Sequence, residues 1–66
     1  MDKQINKLAK NATSLILRTY SQDGINMYDS YDIILNEVKG YVKQSLDSGM
    51  KPIYVTKCAV KLYFEN

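Results

Sequence analysis

The chain has 66 residues and a net charge of +2, and it contains no His, no Trp and a single Cys. A chain of this length forms one domain, spanning residues 1–66, and buries only about 60% of the surface that it exposes when unfolded. Without His and with one Cys, the usual zinc and iron sites are excluded. The mild positive charge does not require a polyanionic partner.

The first predicted helix runs from Asp2 to Tyr20. At about 100° per residue, one face is apolar, with Leu17 as the one misplaced apolar residue. The apolar face contains Ile5, Leu8, Ala9, Ala12, Leu15, Ile16 and Thr19. The opposite face contains Lys3, Lys7, Lys10, Ser14 and Arg18. This segregation is typical of an amphipathic surface helix, and Asp23 and Gly24 predict the turn that ends it.

A second helix is predicted from Ser30 to Ser48, after a short apolar connector at residues 25–28. Asp29 or Ser30 is suited to cap its first turn, and Gly49 stands where a C-terminal cap belongs. Its apolar stripe contains Tyr31, Ile34, Leu35, Val38, Tyr41, Val42 and Leu46. These positions recur at the spacing of one buried helix face.

The last segment, Ile53 to Phe64, is consistent with two structures. Its β-branched and aromatic residues favour a strand, whereas its length and Pro52 at the first position favour a helix. We predict a helix, apolar over most of its circumference and therefore the most buried of the three. The expected fold is all-α, a small three-helix bundle; the alternative is an α+β fold with Ile53–Phe64 as a strand.

The residues offer little for catalysis. Cys58 is the strongest nucleophile in the chain, but no His is present to activate it, and its apolar neighbours indicate a small buried side chain. The seven acidic residues are spread along the chain, and most of them lie on predicted solvent faces. We expect no enzymatic activity, no metal, no cofactor and no small-molecule substrate.

Nucleic-acid binding is the alternative functional prediction. Gly49 lies between two predicted helices, as in a helix-turn-helix, with Ser45, Met50 and Val55 of suitable type at the expected offsets; Ser48 and Gln44 do not fit. A last helix used in this way would present Lys51, Tyr54, Lys57 and Lys61 to DNA. The segment has no Arg, Asn or Gln for paired contacts to base edges, so the match to a DNA-binding regulator is partial.

Protein binding is the leading prediction. Six tyrosines in the chain are typical of an interaction surface. Ile33 and Gly40 align on the outer face of the second helix beside Glu37, and a glycine there forms a notch that another helix can approach. We expect the partner-binding residues to be Tyr28, Ile33, Glu37 and Gly40, in a small regulator or inhibitor that binds a larger protein or forms a homodimer.

The setting of the protein is also predicted. A lone thiol and the lack of a signal-like or membrane-spanning segment predict a cytoplasmic protein with no membrane association. Lys, Asn, Ile and Tyr are frequent, and their A- and T-rich codons are typical of a bacterium with a low G+C content or one of its phages.

Overall fold

Three α-helices pack around one shared core: α1 (Asp2–Gln22), α2 (Tyr31–Asp47) and α3 (Pro52–Glu65). This computed structural model describes residues 2–22, 24 and 30–65, and it has no strand within them. The predicted all-α bundle is confirmed, and the strand alternative for Ile53–Phe64 is wrong. Pro52 occupies the first position of α3, where its missing N–H costs nothing.

The turn between α2 and α3 explains why the second helix stops at Asp47. Gly49 has a φ of +90°, a value that residues with a Cβ rarely adopt. Its N–H donates to the Leu46 carbonyl at 3.0 Å, and the Met50 N–H donates to the Ser45 carbonyl at 3.1 Å. This pair of bonds is the Schellman motif, which satisfies carbonyls at a helix end. The predicted C-terminal cap at Gly49 is therefore confirmed.

The predicted end of α1 and start of α2 shift by two residues and one residue, respectively. Helix α1 continues to Gln22, and Gly24 follows with a φ of +73°. Ser30 precedes α2 in an extended conformation, but its side chain makes no capping hydrogen bond. The expected side-chain cap is therefore wrong for Ser30, and Asp29, the other candidate, lies outside the described residues, as does the connector at residues 25–28.

The core is built from small and β-branched side chains supplied by all three helices. Its fully buried apolar residues are Ala9, Ala12, Ile16, Ile34, Val38, Val42, Val55 and Ala59. Thr13 is also fully buried, and its hydroxyl donates to the Ala9 carbonyl one turn earlier at 2.8 Å. A buried hydroxyl paired in this way does not carry the cost of an unsatisfied polar group.

The buried face of α1 is turned relative to the sequence prediction. Leu15, expected to face inward, is exposed, while Thr13 is buried and Leu17 packs against the core. Tyr31 of α2 is likewise exposed although its position continues the predicted stripe. A helix that contacts two neighbours buries an arc set by both contacts, so the centre of the apolar residues on a helical wheel is only an approximate guide.

Helix α3 is not the most buried helix, so this prediction is wrong. Only Val55 and Ala59 are buried in α3, whereas α2 buries Ile34, Val38, Val42 and Ser45. The difference leaves several apolar side chains of α3 in contact with solvent.

Candidate interaction surfaces

Cys58 occupies a structural environment on the inner side of α3. It is half-buried, and the Ser45 hydroxyl of α2 donates to its sulfur at 3.7 Å. The Ser48 hydroxyl donates in turn to the Ser45 carbonyl at 2.7 Å, which joins these groups to the turn between α2 and α3. Because its sulfur accepts this bond between two packed helices, Cys58 contributes to the α2–α3 contact.

Acidic side chains in the described part of the chain do not gather into a site. Within residues 2–22, 24 and 30–65, no three His, Cys, Asp or Glu side chains lie close enough together to hold one metal ion. A shallow surface depression does exist on the outer side of α1, lined by Asn11, Ser14, Leu15 and Arg18. All four residues come from one helix, so the depression is open to solvent on its far side.

The outer side of α2 carries three of the four predicted partner-binding residues. Ile33, Glu37 and Gly40 are all exposed and recur at helical spacing, with Gln44 one turn further along; these four residues are called the Gly40 surface below. Ile33 is 55% exposed, and the Tyr41 hydroxyl donates to the Glu37 carboxylate at 3.2 Å. Tyr28, the fourth predicted residue, lies outside the described residues.

Gly40 itself makes no close approach to the rest of the bundle. Within residues 2–22, 24 and 30–65, a Cβ placed on it would meet no atom within 4 Å other than those of its own helix and its chain neighbours. Its backbone is helical, without the positive φ that Gly24 and Gly49 show. Neither turn geometry nor packing against the described residues therefore requires glycine at position 40.

The outer side of α3 presents the four residues predicted for nucleic-acid contact. Lys51, Tyr54, Lys57 and Lys61 are all exposed. The Lys61 amine lies 4.0 Å from the Glu65 carboxylate one turn later. Among the described residues, the amines of Lys51 and Lys57 have no acidic group within the same distance.

Two large apolar residues on this side of α3 were missed by the sequence analysis. Ile53 is 76% exposed and Phe64 is 42% exposed. In a helix with Val55 and Ala59 facing inward, the helical periodicity places Ile53 and Phe64 outward. The sequence therefore contained the information needed to predict their exposure. The α3 outer face, as the term is used below, comprises Lys51, Ile53, Tyr54, Lys57, Lys61 and Phe64.

One end of the bundle is closed by aromatic rings from α1 and α3. Phe64 meets Tyr20 edge-on with ring centroids 5.4 Å apart, and it meets Tyr63 in the same way at 5.5 Å. The Tyr20 and Tyr63 hydroxyls are hydrogen-bonded at 3.3 Å. These contacts join the C-terminal ends of α1 and α3, so the two helices run in the same direction, and Phe64 is fixed on one side and exposed on the other.

Helix α1 presents the basic stripe predicted for it. Lys3, Lys7, Lys10 and Arg18 are all exposed, opposite the buried residues of the same helix. None of the three helices, within the described residues, combines the length and apolar character needed to cross a bilayer. The chain was also compared with models of protein families, with curated proteins and with solved structures, and none of the three comparisons gives a match.

Proposed function

We propose that this chain is a small cytoplasmic protein-interaction module, a regulator or inhibitor without enzymatic activity of its own. The observation that supports the proposal most is Gly40. Glycine in the middle of a helix costs about 1 kcal/mol relative to alanine, and no close contact with the described part of the chain offsets that cost. We therefore propose that a helix of another protein molecule occupies the space above Gly40.

The neighbours of Gly40 support the same assignment. Ile33 supplies an exposed apolar side chain on one side of the glycine, and Glu37 and Gln44 supply polar groups beside it. Small residues let two helix backbones approach closely, and an apolar residue with polar groups at its border is the usual composition of an interface. The basic stripe of α1 adds a long-range attraction toward an acidic partner.

The test uses two substitutions that have the same effect on helix stability but fill the space above position 40 to different extents. Gly40→Ala and Gly40→Arg both raise helix propensity and should both stabilise the isolated chain. Arginine also fills the space above the backbone, so it should abolish association while alanine only weakens it. Sedimentation equilibrium measures pairing with a second copy, and affinity capture with and without nuclease measures a different protein partner.

Each outcome of this experiment decides a specific point. Loss of association in Gly40→Arg with unchanged helical circular dichroism supports the Gly40 surface. If the arginine variant still forms the same dimer or retains the same captured protein, the Gly40 surface is wrong. Capture that disappears on nuclease treatment would identify a nucleic acid, and it would contradict the proposal of a protein partner.

DNA binding by α3 is the second candidate function, favoured by the outward position of Lys51, Tyr54, Lys57 and Lys61. Against it, Ile53 and Phe64 share that face, and the face has no Arg, Asn or Gln side chain for base recognition. Titration with duplex DNA at two salt concentrations tests it, because phosphate contacts make affinity fall steeply with salt. The absence of binding at low salt excludes this function.

A further inference from the structure

We infer that the α3 outer face is a second docking surface, and that its partner is an acidic amphipathic helix of another protein. The inference rests on the proposed protein-binding function but does not depend on the Gly40 surface. Ile53, 76% exposed, is the most exposed large apolar side chain in the described part of the chain. It lies on the same side of α3 as Lys57 and Lys61.

The order of side chains along α3 defines the partner. Ile53 lies near the start of the helix and Phe64 near its end, about 16 Å apart at about 1.5 Å per residue. Lys57 and Lys61 lie between them, one turn apart. A complementary helix therefore has two carboxylates one turn apart in its middle and an apolar residue toward each end.

The same order argues against a membrane as the partner. A helix that lies in a lipid interface immerses a continuous apolar strip. On α3, Lys57 separates Ile53 from Phe64, so immersing both apolar residues would carry a charged amine toward the hydrocarbon. A protein carboxylate placed opposite that amine forms an ion pair instead, and the apolar residues on either side exclude water from it.

The charges on α3 favour an acidic segment over a neutral one. The amines of Lys51 and Lys57 have no ion pair with any described residue, and the one acidic group on this side, Glu65, is 4.0 Å from Lys61. The face thus attracts negative charge along its length. Potential complementarity of this kind sets the partner and its orientation more than it sets the affinity.

The probe is a synthetic, side-chain-stapled helix with two Glu one turn apart and a Leu toward each end. The staple is needed because short helices are marginal in water. A matched peptide with Gln in place of both Glu is the first control. Nuclear magnetic resonance titration of the labelled chain should show saturable shifts at residues 51–65, and the Gln peptide should bind about tenfold more weakly.

Variants of the chain provide the second control. Lys57→Glu with Lys61→Glu should weaken binding of the acidic peptide by about tenfold. Lys3→Glu with Lys7→Glu, which changes the net charge equally on α1, should leave it nearly unchanged. Ile53→Asp should abolish binding, while Ile33→Asp on the Gly40 surface should not.

Several results overturn the inference. One is failure of the acidic peptide to bind, and another is equal loss of binding in the two lysine pairs. Preferential binding of duplex DNA or of vesicles containing anionic lipid, lost in the α3 variant, assigns the face to those partners instead. If the peptide fails while Gly40→Arg still abolishes association, only the α3 inference is wrong, and the proposed function stands.

Discussion

Helices α1 and α3 contact the same core, but they differ in what they leave outside. On α1 the side opposite the core carries Lys3, Lys7, Lys10 and Arg18. On α3 the corresponding side carries Ile53, Tyr54 and Phe64 among its lysines. Most apolar residues of α1 are buried in the core or packed against it, whereas α3 contains large apolar side chains that the fold leaves exposed. Apolar side chains left exposed together on one face of a helix are candidates for contact with another molecule.

The largest expected effect compares one substitution at two places. Ile16→Ala on α1 removes a fully buried side chain and should lower the free energy of unfolding by about 2–5 kcal/mol. Ile53→Ala on α3 removes one that is 76% exposed and should change it by less than about 0.5 kcal/mol. Urea unfolding followed by circular dichroism measures both. Equal losses of unfolding free energy would show that Ile53 stabilises the fold as much as Ile16 does, and the contrast between the two helices would not hold.

A second pair sharpens the contrast within α3 itself. Phe64 makes edge-on contacts with Tyr20 and Tyr63, so Phe64→Ala should cost about 1–2 kcal/mol. Tyr54 is 60% exposed, and Tyr54→Ala should cost less than about 0.5 kcal/mol. Thermal unfolding of the two variants beside the wild-type chain measures the difference. A larger loss for Tyr54→Ala would mean that the start of α3, rather than its end, anchors the helix.

The sequence predicted the end of α2 and the start of α3 well because each of these two boundaries has a local cause. Gly49 ends α2 through bonds formed within the turn itself, and Pro52 is suited to the start of α3 wherever that helix packs. The choice between helix and strand for Ile53–Phe64 was less certain, because strand propensity depends on a neighbouring strand, and no strand exists among the described residues.

The depth of burial was harder to predict than the helices. It depends on the direction in which each helix meets two others, and a single helix does not carry that information. Leu15 and Leu17 exchanged their expected places for this reason, and α3 was expected to be central because it is apolar on most sides. The candidate surfaces were predictable to the same extent. Gly40 could be identified from its residue type alone, whereas the exposure of Ile53 could be recognised only once the orientation of α3 was known.

The smallest expected effects have opposite signs at two glycines. Gly49→Ala forces a residue with a Cβ to adopt a φ of +90° and should destabilise the chain by about 1 kcal/mol or more. Gly40→Ala places a methyl group where none of the described residues outside its own helix approaches within 4 Å, and it should stabilise the chain by about 0.5–1 kcal/mol. Chemical denaturation at a concentration where the chain is monomeric separates this effect from association. If Gly40→Ala destabilises the monomer, the glycine serves the fold, and its role as a notch for a partner is contradicted. If the variant has a higher free energy of unfolding as a monomer and also associates more weakly, glycine at position 40 lowers the stability of the chain and strengthens its contact with the partner. A single substitution then accounts for both changes.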